Sequence, residues 1–64
     1  TYLKMNTYST NQIVKGRRAG TFVVLGARAV NGQDGYQLKP VNPNDHAQVG
    51  RGELWLPSTA ITSI

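Results

Sequence analysis

The chain contains no cysteine, so it can build neither a disulfide framework nor a thiolate metal site. It carries one histidine, His46, and only three acidic residues, Asp34, Asp45 and Glu53. Nucleophilic catalysis needs a nucleophile beside a base that is itself oriented, and so sparse a set of titratable groups supplies no triad. A zinc site takes roughly three or four protein ligands, and His46 with its neighbour Asp45 falls short; a lone loop histidine reads as a solvated one. Long apolar runs are also missing. The longest, Phe22-Val23-Val24-Leu25, is far below the ~20 residues of a spanning helix, and no charged-then-apolar opening resembles a signal peptide. These absences predict a soluble, cytoplasmic protein without membrane association, catalytic residues, metal or cofactor.

What is abundant is positive charge. Lys4, Lys15, Arg17, Arg18, Arg28, Lys39 and Arg51 outnumber the acids and give the 64 residues a net charge of +4. Polyanions are drawn to such a surface, because each neutralised phosphate releases condensed counterions. A small domain also uses a net charge of roughly 2 to 8 simply to stay in solution. The length allows one domain with one thin core, removing only roughly 60% of its unfolded surface from water.

Residues 1–11 are rich in Thr, Ser, Asn and Tyr and have no sustained period, which predicts an N-terminal arm, either a flexible terminus or an edge strand. From Gln12 to Ile64 the pattern is that of strands. Gln12 to Lys15 is β-compatible and stops at Gly16, and Arg17-Arg18-Ala19-Gly20 is a basic loop between two glycines. Gly20 to Val30 is the strongest strand. Period-two alternation places Thr21, Val23, Leu25, Ala27 and Ala29 on one face, with Phe22, Val24, Gly26, Arg28 and Val30 on the other, and Gly26 is placed to bend the strand. Asn31 to Gly35 reads as the hairpin loop and Tyr36 to Val41 as the return strand, which Pro40 confines to an edge or brings to its end. Asn42 to Gly52 is a long polar loop. In the following strand Leu54 and Leu56 form the predicted core pair, and Trp55 points outward or fills a barrel mouth. Pro57-Ser58-Thr59-Ala60 predicts a 3₁₀ turn before a closing strand at Ile61 to Ile64.

Gly16, Gly20 and Gly26 make no phosphate fingerprint, since no helix follows them. The residues that suit a binding role are Arg17, Arg18, Arg28, Lys39 and Arg51 for phosphate contacts, with Trp55 as a stacking aromatic. Tyr36, at a strand start, suits packing better than stacking.

From Gln12 onward this order of opening strand, apolar strand, hairpin, polar loop, Leu-Trp-Leu, Pro57-to-Ala60 turn and closing strand resembles an SH3-like barrel. The resemblance implies an all-β barrel of about five strands with one 3₁₀ turn before the last. The acidic loop, tandem tryptophan and tyrosine-rich opening motif of proline-peptide-binding SH3 domains are not in this chain. Gly35-Tyr36 and Leu56-Pro57-Ser58-Thr59-Ala60-Ile61 are similar to the ending of the plasmid-encoded type II dihydrofolate reductases, which are tetrameric SH3-like barrels. Here Glu53-Leu54-Trp55-Leu56 replaces that family's polar active-site run, so the resemblance implies the fold and not the reductase activity. The expected function is a small basic binding module that holds DNA or RNA through phosphate contacts. The alternative is a protein-interaction or oligomerisation adaptor of phage, plasmid or accessory-system origin.

Overall fold

The computed structural model describes residues 7–64, all-β apart from one 3₁₀ turn. Strands β1 (Ile13–Gly16), β2 (Thr21–Val30), β3 (Gln33–Pro40), β4 (Leu54–Pro57) and β5 (Ile61–Ser63) form one antiparallel sheet in the order β4-β3-β2-β1-β5. The turn, Ser58–Ala60, lies between β4 and β5. Those two strands occupy opposite margins of the sheet, yet only the three residues of the turn separate them. The sheet therefore has to roll until its margins approach each other at the turn, which makes a small barrel whose β4 margin has no backbone pairing beyond β3. The Arg17 amide donates to the Ala60 carbonyl at 2.8 Å and ties the β1–β2 loop to this seam.

Alternation explains the core. Val14, Phe22, Val24, Tyr36, Leu38 and Ile61 point inward from four different strands and pack as one buried cluster, with Tyr8, Leu54 and Leu56 half-buried against it. Leu54 and Leu56 are thus on the expected side of their strand but at the rim of the core, because β4 is a margin strand with a neighbour on one side only. Tyr36 packs, as expected, with its ring edge-on to Tyr8 at a centroid separation of 5.3 Å. Trp55 is on the outer side.

Two sequence-based expectations are corrected. The hairpin loop is two residues long, Asn31-Gly32, both at positive φ (52° and 78°), and β3 already begins at Gln33 opposite Val30. With both residues at positive φ, the backbone twist of the Asn-Gly turn matches the right-handed twist of the flanking strands, so the ladder continues through residues 33–35 instead of stopping there. The faces of β2 also change partway along. Val24 pairs with Leu38 and Gly26 with Gln37, so Leu25 is an extra residue, a bulge that exchanges inside and outside for the rest of the strand. Ala27 and Ala29 come to the side of the sheet that carries Tyr36, opposite Tyr36 and Asp34, though both stay exposed, while Arg28 goes to the other side opposite Gly35. Arg28 consequently does not share a face with Phe22 and Val24, as simple alternation had it. The long polar loop expected from Asn42 to Gly52 is present, and its first part is ordered by turn bonds. Asn42 and Ala47 are joined by a backbone bond of 2.8 Å, Val41 bridges to Gln48, and the Asn42 and Asp45 side chains accept from the Asn44 and Ala47 amides.

The expected arm falls in part on residues 1–6, outside the described residues. Within the described part, Tyr8 packs on the core and its hydroxyl donates to the Ile61 carbonyl at 3.3 Å. A short turn follows, in which the Gln12 amide donates to the Ser9 carbonyl. Asn11 and Gln12 then bond Val24 on both sides at 2.7 and 2.9 Å, which extends the β1–β2 ladder by backbone contacts alone. No helix among the described residues is long and apolar enough to cross a membrane.

Candidate nucleic-acid interface

The first group of basic side chains is built by the β1–β2 connection. Arg17 and Arg18 are exposed in a bend between Gly16 and Gly20, and the Gly16 amide bonds the Gly20 carbonyl at 3.1 Å to close the loop. Lys15 precedes them on β1, on the outer side because its neighbour Val14 is buried. Lys15, Arg17, Arg18 and Thr62 of β5 border a depression of about 470 Å³. Three cations around one polar hollow create a concentrated positive potential, and with their backbone fixed at the seam the side chains keep their freedom to meet an anion.

The second group lies on the outer face of β2, β3 and β4, where cross-strand pairing sets neighbours. Trp55 is paired with Gln37, and Gln37 with Gly26; Arg28 faces Gly35 one step along. The Trp55 indole reaches across β3 and its Nε1–H donates to the Arg28 carbonyl at 2.8 Å. It lies over Gly35, where a Cβ would collide with the indole ring and with the Leu56 carbonyl. Gln37 links two charged residues of this face: its Oε1 accepts from the Arg28 guanidinium and its Nε2 donates to the Glu53 carboxylate, both at 3.4 Å. Lys39, on the same outer side of β3 opposite Val23, donates to Gln48 Oε1 at 3.1 Å. Arg28 and Lys39 are thus held by uncharged glutamine oxygens, which leaves their charge unneutralised by these contacts.

The remaining candidate, Arg51, is exposed in the segment before β4. His46 is exposed at φ 60°, its amide donating to the Asn42 carbonyl, and the Asp45 carboxylate is engaged by the Ala47 amide. Among the described residues no group of three His, Cys, Asp or Glu side chains is placed to hold a metal ion.

The structure therefore brings Arg17 and Arg18 together at the barrel seam, and Arg28, Lys39 and Trp55 together on the outer sheet face, as two groups without Arg51 in either. Sequence reasoning missed Lys15 as a member of the first group and Gln37 as the connector of the second. Strand alternation from Val14 pointed to Lys15; Gln37 had no signal, because its role depends on the Leu25 bulge. No family model, curated protein or solved structure matches the chain.

Proposed function

We propose that this domain is a small SH3-like binding module that attaches to nucleic acid through phosphate contacts, and that it acts in the cytoplasm as a binding protein and not as an enzyme. The observation that carries the reading is the convergence of Lys15, Arg17 and Arg18 around one polar hollow at the barrel seam, in a chain with a net charge of +4. Neighbouring loop arginines reach a backbone without disturbing any core side chain, and phosphate contacts position a duplex or a strand without reading its sequence.

Titrating a labelled oligonucleotide at several salt concentrations tests this. Binding should weaken steeply with salt. The Arg17→Ala, Arg18→Ala double variant should flatten the slope of log K against log salt by roughly 1.4 to 1.8, two contacts at ~0.7 to 0.9 each. A parent with no affinity at low salt removes the proposal.

An adaptor that binds a protein partner is the second reading. It is favoured by an apolar cleft of about 210 Å³ beside the unpaired margin of β4, in which Phe22, Leu54, Leu56 and Ala60 supply apolar wall and which Arg17 and Arg18 also line. A free strand margin next to apolar side chains suits strand addition.

A further inference from the structure

We infer that the outer face around Trp55 is a stacking subsite for an unpaired base, so that the nucleic acid held by this module is single-stranded. The inference rests on the nucleic-acid reading above and adds which form of the polymer is bound, and where.

The argument begins with what immobilises the indole. A tryptophan on a sheet surface normally keeps rotamer freedom that a ligand must remove on binding. Trp55 has already lost it. Its six-membered ring lies over Gly35, the one residue type that leaves room there, and its only hydrogen-bond donor is consumed by the Arg28 carbonyl. The ring is partly exposed and is not among the side chains packed on the core. An indole fixed in this way, with its N–H satisfied, offers a π-face and no donor. It is suited to stacking, which every base accepts, and unsuited to reading base edges.

The surroundings identify the stacking partner. Arg28 lies one register step to one side of Trp55, through Gly35, and Lys39 one step to the other, through Gln37 on β3. From Gly35, opposite Arg28, to Lys39 strand β3 covers about 13 Å at ~3.3 Å per residue. A cation on each side of one aromatic over that span fits an extended strand that crosses the ring with more than one phosphate in reach and a base laid on the indole, and not a duplex, whose bases are stacked on one another. Glu53 is the one acid on this face; its carboxylate is hydrogen-bonded to Gln37 Nε2 on the β4 side. It opposes phosphate there and leaves the Arg28 side as the preferred exit for the backbone.

The experiment compares a fluorescein-labelled 12-nucleotide oligo-dT with a blunt duplex of equal length by anisotropy at low salt, and follows the emission of Trp55, the single tryptophan. The single strand should bind more tightly and quench that emission. Trp55→Ala should weaken single-strand binding about 5- to 150-fold while duplex binding stays within twofold, and Trp55→Phe, which keeps a ring but loses the N–H anchor, should recover only part of the loss. Because Trp55→Ala removes cover from Gly35, far-UV spectra are recorded alongside, and the quenching of the unmodified protein gives a readout that needs no variant. Salt-dependent binding with equal affinity for both forms and unchanged emission overturns the stacking subsite and leaves the phosphate reading standing. No binding to either form overturns both.

Discussion

The Trp55 indole occupies the space that a side chain at Gly35 would need. The two residues lie on adjacent strands, and together they let a large aromatic rest over β3 while its N–H reaches the next strand but one. Gly35→Ala must displace the ring or the Leu56 carbonyl. The expected cost is about 1 to 3 kcal/mol, with a shifted tryptophan emission maximum, read by urea denaturation and fluorescence. An unchanged emission spectrum would mean that the ring does not rest on Gly35.

Ile61 is fully buried and completes the core from the last strand. Ile61→Ala should cost about 2 to 5 kcal/mol, enough to unfold so small a domain, whereas Leu54→Ala, at the half-buried rim, should cost less. Comparing the two urea midpoints checks the ranking. Leu54 as the more sensitive site would place the core against β4.

Most of the fold was legible because period-two alternation and turn chemistry are local. The strands around Gly20–Val30 and Leu54–Leu56, and the turn before Ile61, followed from residue types within a few positions. What escaped was set at a distance. The Leu25 bulge is visible only through its partners Leu38 and Gln37, so Arg28 was given the wrong face. Of the interface, the Arg17-Arg18 loop could be read from its flanking glycines. The resting place of Trp55 on Gly35 could not, since it depends on which strands become neighbours.

Gly32 sits at φ 78° in the hairpin with open space around its α-carbon, so alanine there meets backbone strain and nothing else. Gly32→Ala should destabilise by about 1 kcal/mol. Gly26→Ala, also in open space and without positive φ, is the control and should be neutral or slightly stabilising. Thermal melts of the two variants test the pair.

Tyr8 joins the described part of the arm to the barrel by an edge-on contact with Tyr36 and a bond to Ile61. Tyr8→Ala should therefore lower stability by about 1 to 2 kcal/mol, and Tyr8→Phe by less than about 1.5, since the ring remains. Chemical denaturation distinguishes this from an arm that adds nothing, for which both variants would match the parent.

Glu53 gives the interface a charge test of the opposite sign. If a nucleic-acid strand passes beside Gln37, Glu53→Gln should raise affinity and steepen the salt dependence, because it removes a repulsive carboxylate while keeping an acceptor for Gln37 Nε2. Anisotropy titrations at two ionic strengths suffice. Unaltered affinity would place the strand elsewhere, at the Lys15, Arg17 and Arg18 hollow.

The pairing of β1 with β5 joins residues from opposite ends of the described chain, Val14 with Ser63 and Gly16 with Ile61. The β2–β3 hairpin, by contrast, needs only its two-residue turn and can form within ~1 to 10 μs of its own accord. Closing the seam requires a loop spanning nearly the whole domain, whose entropy is lost before Ile61 delivers its burial. Folding is accordingly a race with an early hairpin and a late finish, in the millisecond-to-second range of non-local β topologies. Until the last strand docks, β1 presents an unpaired margin to any neighbouring chain, and how fast that margin is covered sets how concentrated the protein can be while it folds.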